Sequence, residues 1–133
     1  MTKIERLRPE GLVVSPAFSH VAVVPPGATT IYVGGQNAVD AAGALVGGDD
    51  VAAQAIRALA NAKTALTAAG ATLQDVVQWT VLFVDGVDVR AAYGAIASEI
   101  ASEHPPLVTS ARVAGLGVPG ALVEIAAIAA VMR

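Results

Sequence analysis

The chain has 133 residues, of which 55% are hydrophobic, with 8 Lys and Arg residues against 11 Asp and Glu residues and a net charge of −3. This length predicts one domain, residues 1–133, with a core large enough to fold without disulfides. The few scattered basic residues form no positive stripe for nucleic-acid phosphates, and the lack of Cys excludes a disulfide scaffold, thiolate metal sites and a Cys nucleophile. Because we find neither a signal peptide pattern nor an apolar run long enough to span a bilayer, we expect a soluble, cytoplasmic protein.

Three strands are predicted before the first helix. Lys3–Arg8 alternates charged and apolar side chains, which is the pattern of a half-exposed strand. Ser19–Val24 and Thr29–Val33 are rich in β-branched residues and flank Pro25-Pro26-Gly27, which predicts a hairpin. The second of these strands runs into Gly34-Gly35, and paired glycines at a strand end indicate a bend or a close approach to another chain or a ligand.

Two helices are predicted. From Val51 onward, apolar residues recur at helical spacing until Gly70, and Asp49-Asp50 supplies an N-cap immediately before them. The second helix is predicted from Asp88 to Glu103, because Pro105-Pro106 then forces the chain into an extended conformation.

The remaining segments are predicted as strands. Asp75–Val84 is β-branched and aromatic and predicts a buried central strand, while Leu107–Ala114 and Ala121–Val131 form the last two strands. The order β-β-β-α-β-α-β-β predicts an α+β fold with both helices on one face of a mixed sheet. The other face carries mostly small and apolar side chains, so we expect a second subunit to cover it in a homo-oligomer.

Candidate chemistry centres on Glu124, a charged residue within the apolar segment Leu122–Ile128. A buried carboxyl group can act as a general acid or base. The alternatives are a carboxylate that faces solvent from an edge strand and one that pairs with an arginine across an interface. Arg112 shares a strand face with Val108 and Ser110, and it is either a binding group for a substrate carboxylate, a structural partner or an exposed strand residue.

Other catalytic patterns are missing from the sequence. His20 and His104 are far apart and lack the spacing of a metal site, so we expect no bound metal. Neither a Gly-x-Ser-x-Gly segment nor a dinucleotide- or phosphate-binding glycine loop is present. We therefore expect neither a Ser nucleophile nor a nucleotide site.

In chain order, a set of short segments resembles the RidA (YjgF, reactive intermediate deaminase) family. The segments are Phe18-Ser19-His20, Ile31–Gln36, Asp50–Ala55, Ala92-Tyr93, Pro105-Pro106 and Val123–Ala129. This resemblance, which covers nearly the whole chain, implies a chorismate-mutase-like α+β fold and a homotrimer with a small-molecule site in each cleft between subunits. It also implies hydrolysis of short-lived 2-imino acids to 2-keto acids and ammonia, without metal or cofactor.

The resemblance also implies roles for individual residues. The glutamate that positions the attacking water falls on Glu124. The glycine and glutamine that follow the third strand fall on Gly35 and Gln36, and an aromatic residue of the site falls on Phe18.

The arginine that clamps the substrate carboxylate in the deaminating members does not carry over. Its position holds Val108, and the small polar position beyond it holds Ser110. Arg112 lies four residues along the same strand, about 13 Å from Val108. Arg90 of the second helix is the other candidate, although a solvent-facing helix position is its simpler interpretation.

Three functions therefore stand as alternatives. The first is an imine or enamine hydrolase that uses Glu124 as acid and base. The second is a trimeric protein that binds or protects a small metabolite without turnover. The third is an endoribonuclease, an activity attached to the family by name, which the negative charge and the absence of a catalytic His pair disfavour.

Overall fold

The computed structural model describes residues 3–133, so Met1 and Thr2 of the predicted domain lie outside the described residues. Its elements follow the predicted order. They are β1 (Glu5–Leu7), β2 (Val21–Val23), β3 (Ala28–Gln36), α1 (Val51–Ala68), β4 (Val76–Val84), α2 (Val89–Ile100), β5 (Leu107–Val113) and β6 (Val123–Met132), with one 3-10 turn at Leu73–Asp75 before β4.

The main sheet has four strands in the order β3-β6-β4-β5. β6 is antiparallel to both β3 and β4, whereas β4 and β5 are parallel, so the sheet is mixed as predicted. The parallel pair exists because α2 carries the chain from the end of β4 back to the start of β5. β4 and β6 occupy the central positions, and β5 is an edge strand.

The core lies between the two helices and one face of this sheet. Alternate residues of β6 (Val123, Ile125, Ala127 and Ala129) and of β4 (Trp79, Val81 and Phe83) are buried there. α1 contributes a stripe at helical spacing that includes Leu59 and Leu66, and α2 contributes Ala92 and Ile96. Because strand side chains alternate, the residues between these positions point to the opposite face of the sheet.

The helix ends follow from their local sequence. The carboxylate of Asp50 caps α1 by accepting hydrogen bonds from the backbone N–H groups of Ala52 at 3.0 Å and Ala53 at 3.3 Å. Gly70, just past the last turn, adopts φ +77°, the left-handed conformation expected of a terminating glycine. α2 ends at Ile100, three residues before the predicted Glu103, because the chain becomes extended ahead of Pro105.

The predicted hairpin between Ser19–Val24 and Thr29–Val33 was wrong. β2 pairs with β1 instead, in a separate two-stranded sheet, and β3 pairs along its length with β6. Pro25–Ala28 forms a tight turn, in which the N–H of Ala28 donates to the carbonyl of Pro25 at 3.4 Å and Gly27 has φ +90°, but a Pro-Gly turn of this kind splays the flanking strands instead of pairing them. The much longer β6 also offers β3 a continuous antiparallel partner that the three-residue β2 cannot match.

The N-terminal strands are attached to the main body by a half-buried arginine. The guanidinium of Arg6 donates to the backbone carbonyl of Val76 at 2.8 Å and to that of Gln74 at 3.2 Å. Burial lowers the pKa of Arg6, and the nearby carboxylate of Asp75 partly opposes this shift. Further along, the Ser19 N–H donates to the carbonyl of Pro106 at 3.1 Å, which fixes the segment after β1 beside the start of β5.

The second face of the main sheet carries no helix within residues 3–133. Its residues include Gln78, Thr80 and Leu82 of β4 and Ala126 and Ile128 of β6, all of them half-buried. Tyr32 of β3, opposite Ile128, is 76% exposed. Coverage of this face by another subunit stays a prediction. Separately, no helix of residues 3–133 has the length and hydropathy needed to cross a membrane.

Candidate functional site

A broad cleft opens on the helix side of the sheet, between α2 and the edge strand β5. Its volume is about 730 Å³, within the range of small-molecule sites. Its walls come from α2, the segment that follows α2, β5 and the chain before β2. The lining residues are Pro16, Ala17, Phe18, Tyr93, Ala97, Ile100, Ala101, Ser102, Pro105, Val108 and Ser110.

Backbone hydrogen bonds hold Phe18 at this cleft. The neighbouring Ser19 is buried and bonded to the carbonyl of Pro106, which leads directly into β5. The carbonyl of Phe18 itself accepts from Nε of Arg8 at 3.4 Å. Its ring packs edge to face on the ring of His20, with centroids 5.4 Å apart, and this contact helps to fix the Phe18 ring in the wall of the cleft.

The floor of the cleft is apolar. Tyr93, Ile100 and Val108 line the cleft and also a cavity of about 20 Å³ beneath it, which reaches Trp79 and Ile125 in the core. The ring of Tyr93 packs edge to face on Phe83, with centroids 5.5 Å apart. A ligand in the cleft would therefore touch a thin layer of side chains above the hydrophobic core.

Val108 and Ser110 reach the cleft because of their register on β5. Val108 is opposite Trp79 and Ser110 is opposite Val81, and both β4 residues point toward the helices. Arg112 shares this face, opposite Phe83, at the far end of the strand. Its guanidinium donates to the backbone carbonyl of Val87 at 3.2 Å and does not line the cleft.

Glu124 lies on the other face of the sheet. It stands opposite Leu82 of β4, between the core residues Val123 and Ile125, and its side chain is half-buried. The carboxyl group lies against the backbone of Gly35: a Cβ atom at Gly35 would be 2.6 Å from the carboxyl carbon and from Oε2. The pairing of β3 with β6 shifts register between Val33 and Gln36, which brings this glycine under the carboxyl group.

The predicted site residues thus fall into two groups in one chain. Phe18, Val108 and Ser110 line the cleft on the helix side. Glu124 and Gly35 lie together on the opposite face of the sheet. A single copy of the chain therefore does not bring the carboxylate to the cleft.

The other predicted residues take peripheral positions. Nε2 of Gln36 donates to the carbonyl of Gly34 at 3.2 Å, which supports the irregular end of β3. Arg90 is exposed on the first turn of α2. A ring nitrogen of His20 lies 2.8 Å from the carbonyl oxygen of Val13, and His104 is exposed in the segment before β5. Among residues 3–133, no three His, Asp or Glu side chains are grouped so that they could hold a metal ion.

Sequence reasoning missed part of the cleft wall. The sequence predicted a helix at Tyr93 and Ile100 but gave them no place in the site, and it indicated no role for Pro16 and Ala17. The helical spacing of Tyr93 and Ile100 indicates that they share one face of α2. Only the position of β5 beside α2 shows that part of this face borders an open cleft. No local pattern indicates that Pro16–Phe18 crosses to the same opening.

A family model described as endoribonuclease L-PSP matches residues 12–131, and the chain belongs to this family. Among solved structures it is similar to YyfB from Yersinia pestis, a protein of unknown function of the conserved Rid family. The two are 34% identical over 98% of this chain and 100% of that one, with a TM-score of 0.82. The comparison with curated proteins found no match.

Two further structures place the fold in the same group. The YjgF gene product of E. coli is 32% identical over 83% of this chain and 85% of its own, with a TM-score of 0.68. A putative endoribonuclease from Thermotoga maritima is 27% identical over 96% of this chain and 94% of its own, with a TM-score of 0.71. The predicted family and its fold, two helices on one face of a mixed sheet, are confirmed.

Proposed function

We propose that this protein hydrolyses reactive imines or enamines to a carbonyl compound and ammonia, with Glu124 as general acid and base. The observation that supports this most directly is the position of the Glu124 carboxyl group. It lies half-buried against the backbone of Gly35, opposite Leu82 and next to Ala126 on the face of the sheet that has no helix over it. Arg112, on the nearby edge strand, points to the other face and donates to a backbone carbonyl, so it does not neutralise this carboxylate.

The reaction needs one carboxylate and one water molecule. Glu124 accepts a proton from the water as its oxygen attacks the carbon of the C=N bond, and passes this proton to the nitrogen, which gives a carbinolamine. Glu124 then accepts the proton of the carbinolamine hydroxyl group and passes it to the nitrogen as the C–N bond breaks, so that ammonia leaves as the carbonyl forms. The balance is R₂C=NH + H₂O → R₂C=O + NH₃, and one group acts as base and then as acid.

The proposal includes a homotrimer, because the two groups of candidate residues lie on opposite faces of the sheet in one chain. The face that carries Glu124 has no helix over it within residues 3–133, and it holds the exposed Tyr32 and the apolar Ile128. A second copy packed on this face would bury these side chains. Its cleft, with Phe18 and Val108, would then lie beside the carboxylate of the first copy.

The experiment measures imine lifetime in the presence of the protein. A flavin amino-acid oxidase generates 2-iminopropanoate from alanine, and a flavin amine oxidase generates phenylmethanimine from benzylamine. Semicarbazide gives the same semicarbazone with the imine and with the carbonyl product but reacts faster with the imine, so a hydrolase lowers the initial rate of semicarbazone formation. We expect faster hydrolysis of at least one imine, and a loss of about 100-fold in rate for Glu124→Gln.

The matched control is Glu99→Gln, the same substitution at an exposed position of α2. It should leave the rate unchanged. Equal initial rates of semicarbazone formation with and without the wild-type protein, for both imines, would contradict the proposal and favour binding without turnover. Cleavage of single-stranded RNA by a preparation that leaves both imines untouched would instead assign the activity named in the family description.

A further inference from the structure

The cleft between α2 and β5 presents only uncharged groups. Of the lining residues that the structure describes, the polar ones are Tyr93, Ser102 and Ser110, and each contributes a hydroxyl group. The others are Phe, Val, Ile, Pro and Ala. The lining therefore supplies hydrocarbon surface and a few hydrogen-bonding groups, but neither a cation nor an anion.

Two of the arginines on neighbouring elements are bonded to main-chain oxygens, and Arg90, exposed on the first turn of α2, does not line the cleft. Arg8 donates to the carbonyl of Phe18, and Arg112 donates to that of Val87. Arg112 is also four residues from Val108 along β5, about 13 Å at strand spacing. Neither guanidinium lines the cleft, so an anionic group that entered it would lose water without gaining a cationic partner.

Such a loss disfavours carboxylate ligands. An unpaired charge that leaves water for an apolar surface is strongly penalised, whereas a hydrocarbon group gains from the same transfer. In the proposed assembly the penalty would be larger, because Glu124 of a neighbouring copy would add a second negative charge beside the cleft.

We propose that this cleft binds the hydrocarbon side of an uncharged carbonyl or imine compound, with an aromatic or branched aliphatic group against Phe18, Tyr93 and Val108. As far as it concerns the reaction, this inference rests on the proposed function, and it specifies that the preferred imines carry no α-carboxylate. A cleft of about 730 Å³ accommodates a group of phenyl size, and the Ser110 hydroxyl can donate to a carbonyl oxygen or an imine nitrogen.

The test uses two stable ketones that differ in one group. Acetophenone carries a methyl group where benzoylformate carries a carboxylate, and neither is hydrolysed. Isothermal titration calorimetry of the intact wild-type protein with each ketone gives the two dissociation constants. We expect acetophenone to bind at least about tenfold more tightly than benzoylformate.

The matched variants are Val108→Arg and Thr109→Arg. Val108 lines the cleft, whereas Thr109, opposite Thr80, is exposed on the other face of the same strand. An arginine at 108 should reverse the preference toward benzoylformate, because it supplies a bidentate partner for the carboxylate. An arginine at 109 adds the same charge to the same strand and should leave the preference as in the wild type.

The wild-type measurement decides the inference even if a variant fails to fold. Equal or tighter binding of benzoylformate, or no detectable binding of acetophenone, would overturn it. Tighter binding of acetophenone than of benzoylformate, in a protein that hydrolyses neither imine, would uphold the cleft assignment and reject the proposed function. Hydrolysis of 2-iminopropanoate as fast as that of phenylmethanimine would uphold the proposed function and reject the preference for imines without an α-carboxylate.

Discussion

The carboxyl group of Glu124 rests on the backbone of Gly35, with space for a hydrogen atom but none for a methyl group. A Cβ atom at Gly35 would lie 2.6 Å from the carboxyl carbon and 3.0 Å from Cγ of Glu124. Gly35 does not have a positive φ, so its backbone conformation does not require glycine. The need for glycine at this position comes from the close approach of the glutamate.

Gly35→Ala should therefore displace the carboxylate with little effect on folding. The glutamate side chain is flexible at its end, so we expect a change in unfolding free energy below about 1 kcal/mol. Displacement of the catalytic carboxylate by about 1 Å should lower the rate of imine hydrolysis by about 100-fold. Gly34→Ala is the matched control, because a Cβ at Gly34 meets no atom within 4 Å, and it should retain activity. Equal activity of both variants would contradict the role of this contact.

The sequence predicted the Gly34-Gly35 pair as a bend or close approach, and it singled out Glu124, but it could not place them together. Their contact depends on the register between β3 and β6 and on the shift within it. The central position of β4, between β6 and β5, did follow from its β-branched and aromatic composition. The partner of β2 did not follow, because a three-residue strand carries too little pattern to define which neighbour it pairs with.

The buried amide of Gln54 should be important for stability. Gln54 is 0% exposed. Its side chain donates to the carbonyls of Gly48 at 2.6 Å and Gly120 at 3.1 Å, and it accepts from the N–H of Leu122 at 2.8 Å. Gln54→Leu would leave these backbone groups without partners, and we expect a loss of about 3 kcal/mol in unfolding free energy, measured by urea denaturation.

The control for Gln54 is the same substitution at Gln74, which is exposed. Gln74→Leu keeps the backbone carbonyl that accepts from Arg6, and its unfolding free energy should change by less than about 0.5 kcal/mol. Equal effects of the two substitutions would show that the buried amide network contributes nothing specific.

The N-cap of α1 provides a second stability test, because only one residue of the Asp49-Asp50 pair caps the helix. Asp50 accepts from two backbone N–H groups of the first turn, whereas the preceding Asp49 is exposed and outside the cap. Asp50→Ala should lower the unfolding free energy by about 1 kcal/mol, and Asp49→Ala by less than half of that. Thermal and urea denaturation of both variants would measure this difference, and a larger effect at Asp49 would be incompatible with the observed cap.

The composition of the cleft shows another limit of sequence reasoning. Val108 was identified at the position where the resembled family has an arginine, and the structure adds that its neighbours in the cleft are uncharged as well. Strand periodicity alone placed Val108, Ser110 and Arg112 on one face. It could not show that Arg112 turns to the carbonyl of Val87, because that bond depends on where α2 begins.

The predicted trimer depends on the sheet face that has no helix over it. Ile128 lies at the middle of this face, opposite Tyr32 on β3 and Gln78 on β4. Ile128→Asp would place a charge within the proposed contact and should convert the trimer to a 13.3 kDa monomer in light scattering. Ala60→Asp, at an exposed position of α1, should leave the mass unchanged. A wild-type protein of 13.3 kDa would contradict the assembly.

Mixing two inactive variants tests whether the active site is shared between copies. Glu124→Gln removes the carboxylate but keeps the cleft, and Val108→Trp fills the cleft but keeps the carboxylate. If each site takes its cleft from one copy and Glu124 from the next, then trimers unfolded and refolded together from equal amounts recover activity. In a cyclic assembly, about one quarter of the sites would combine both intact halves, so we expect about one quarter of wild-type activity. If both halves act within one copy, no mixture exceeds the activity of the separate variants, because no copy then carries an intact pair.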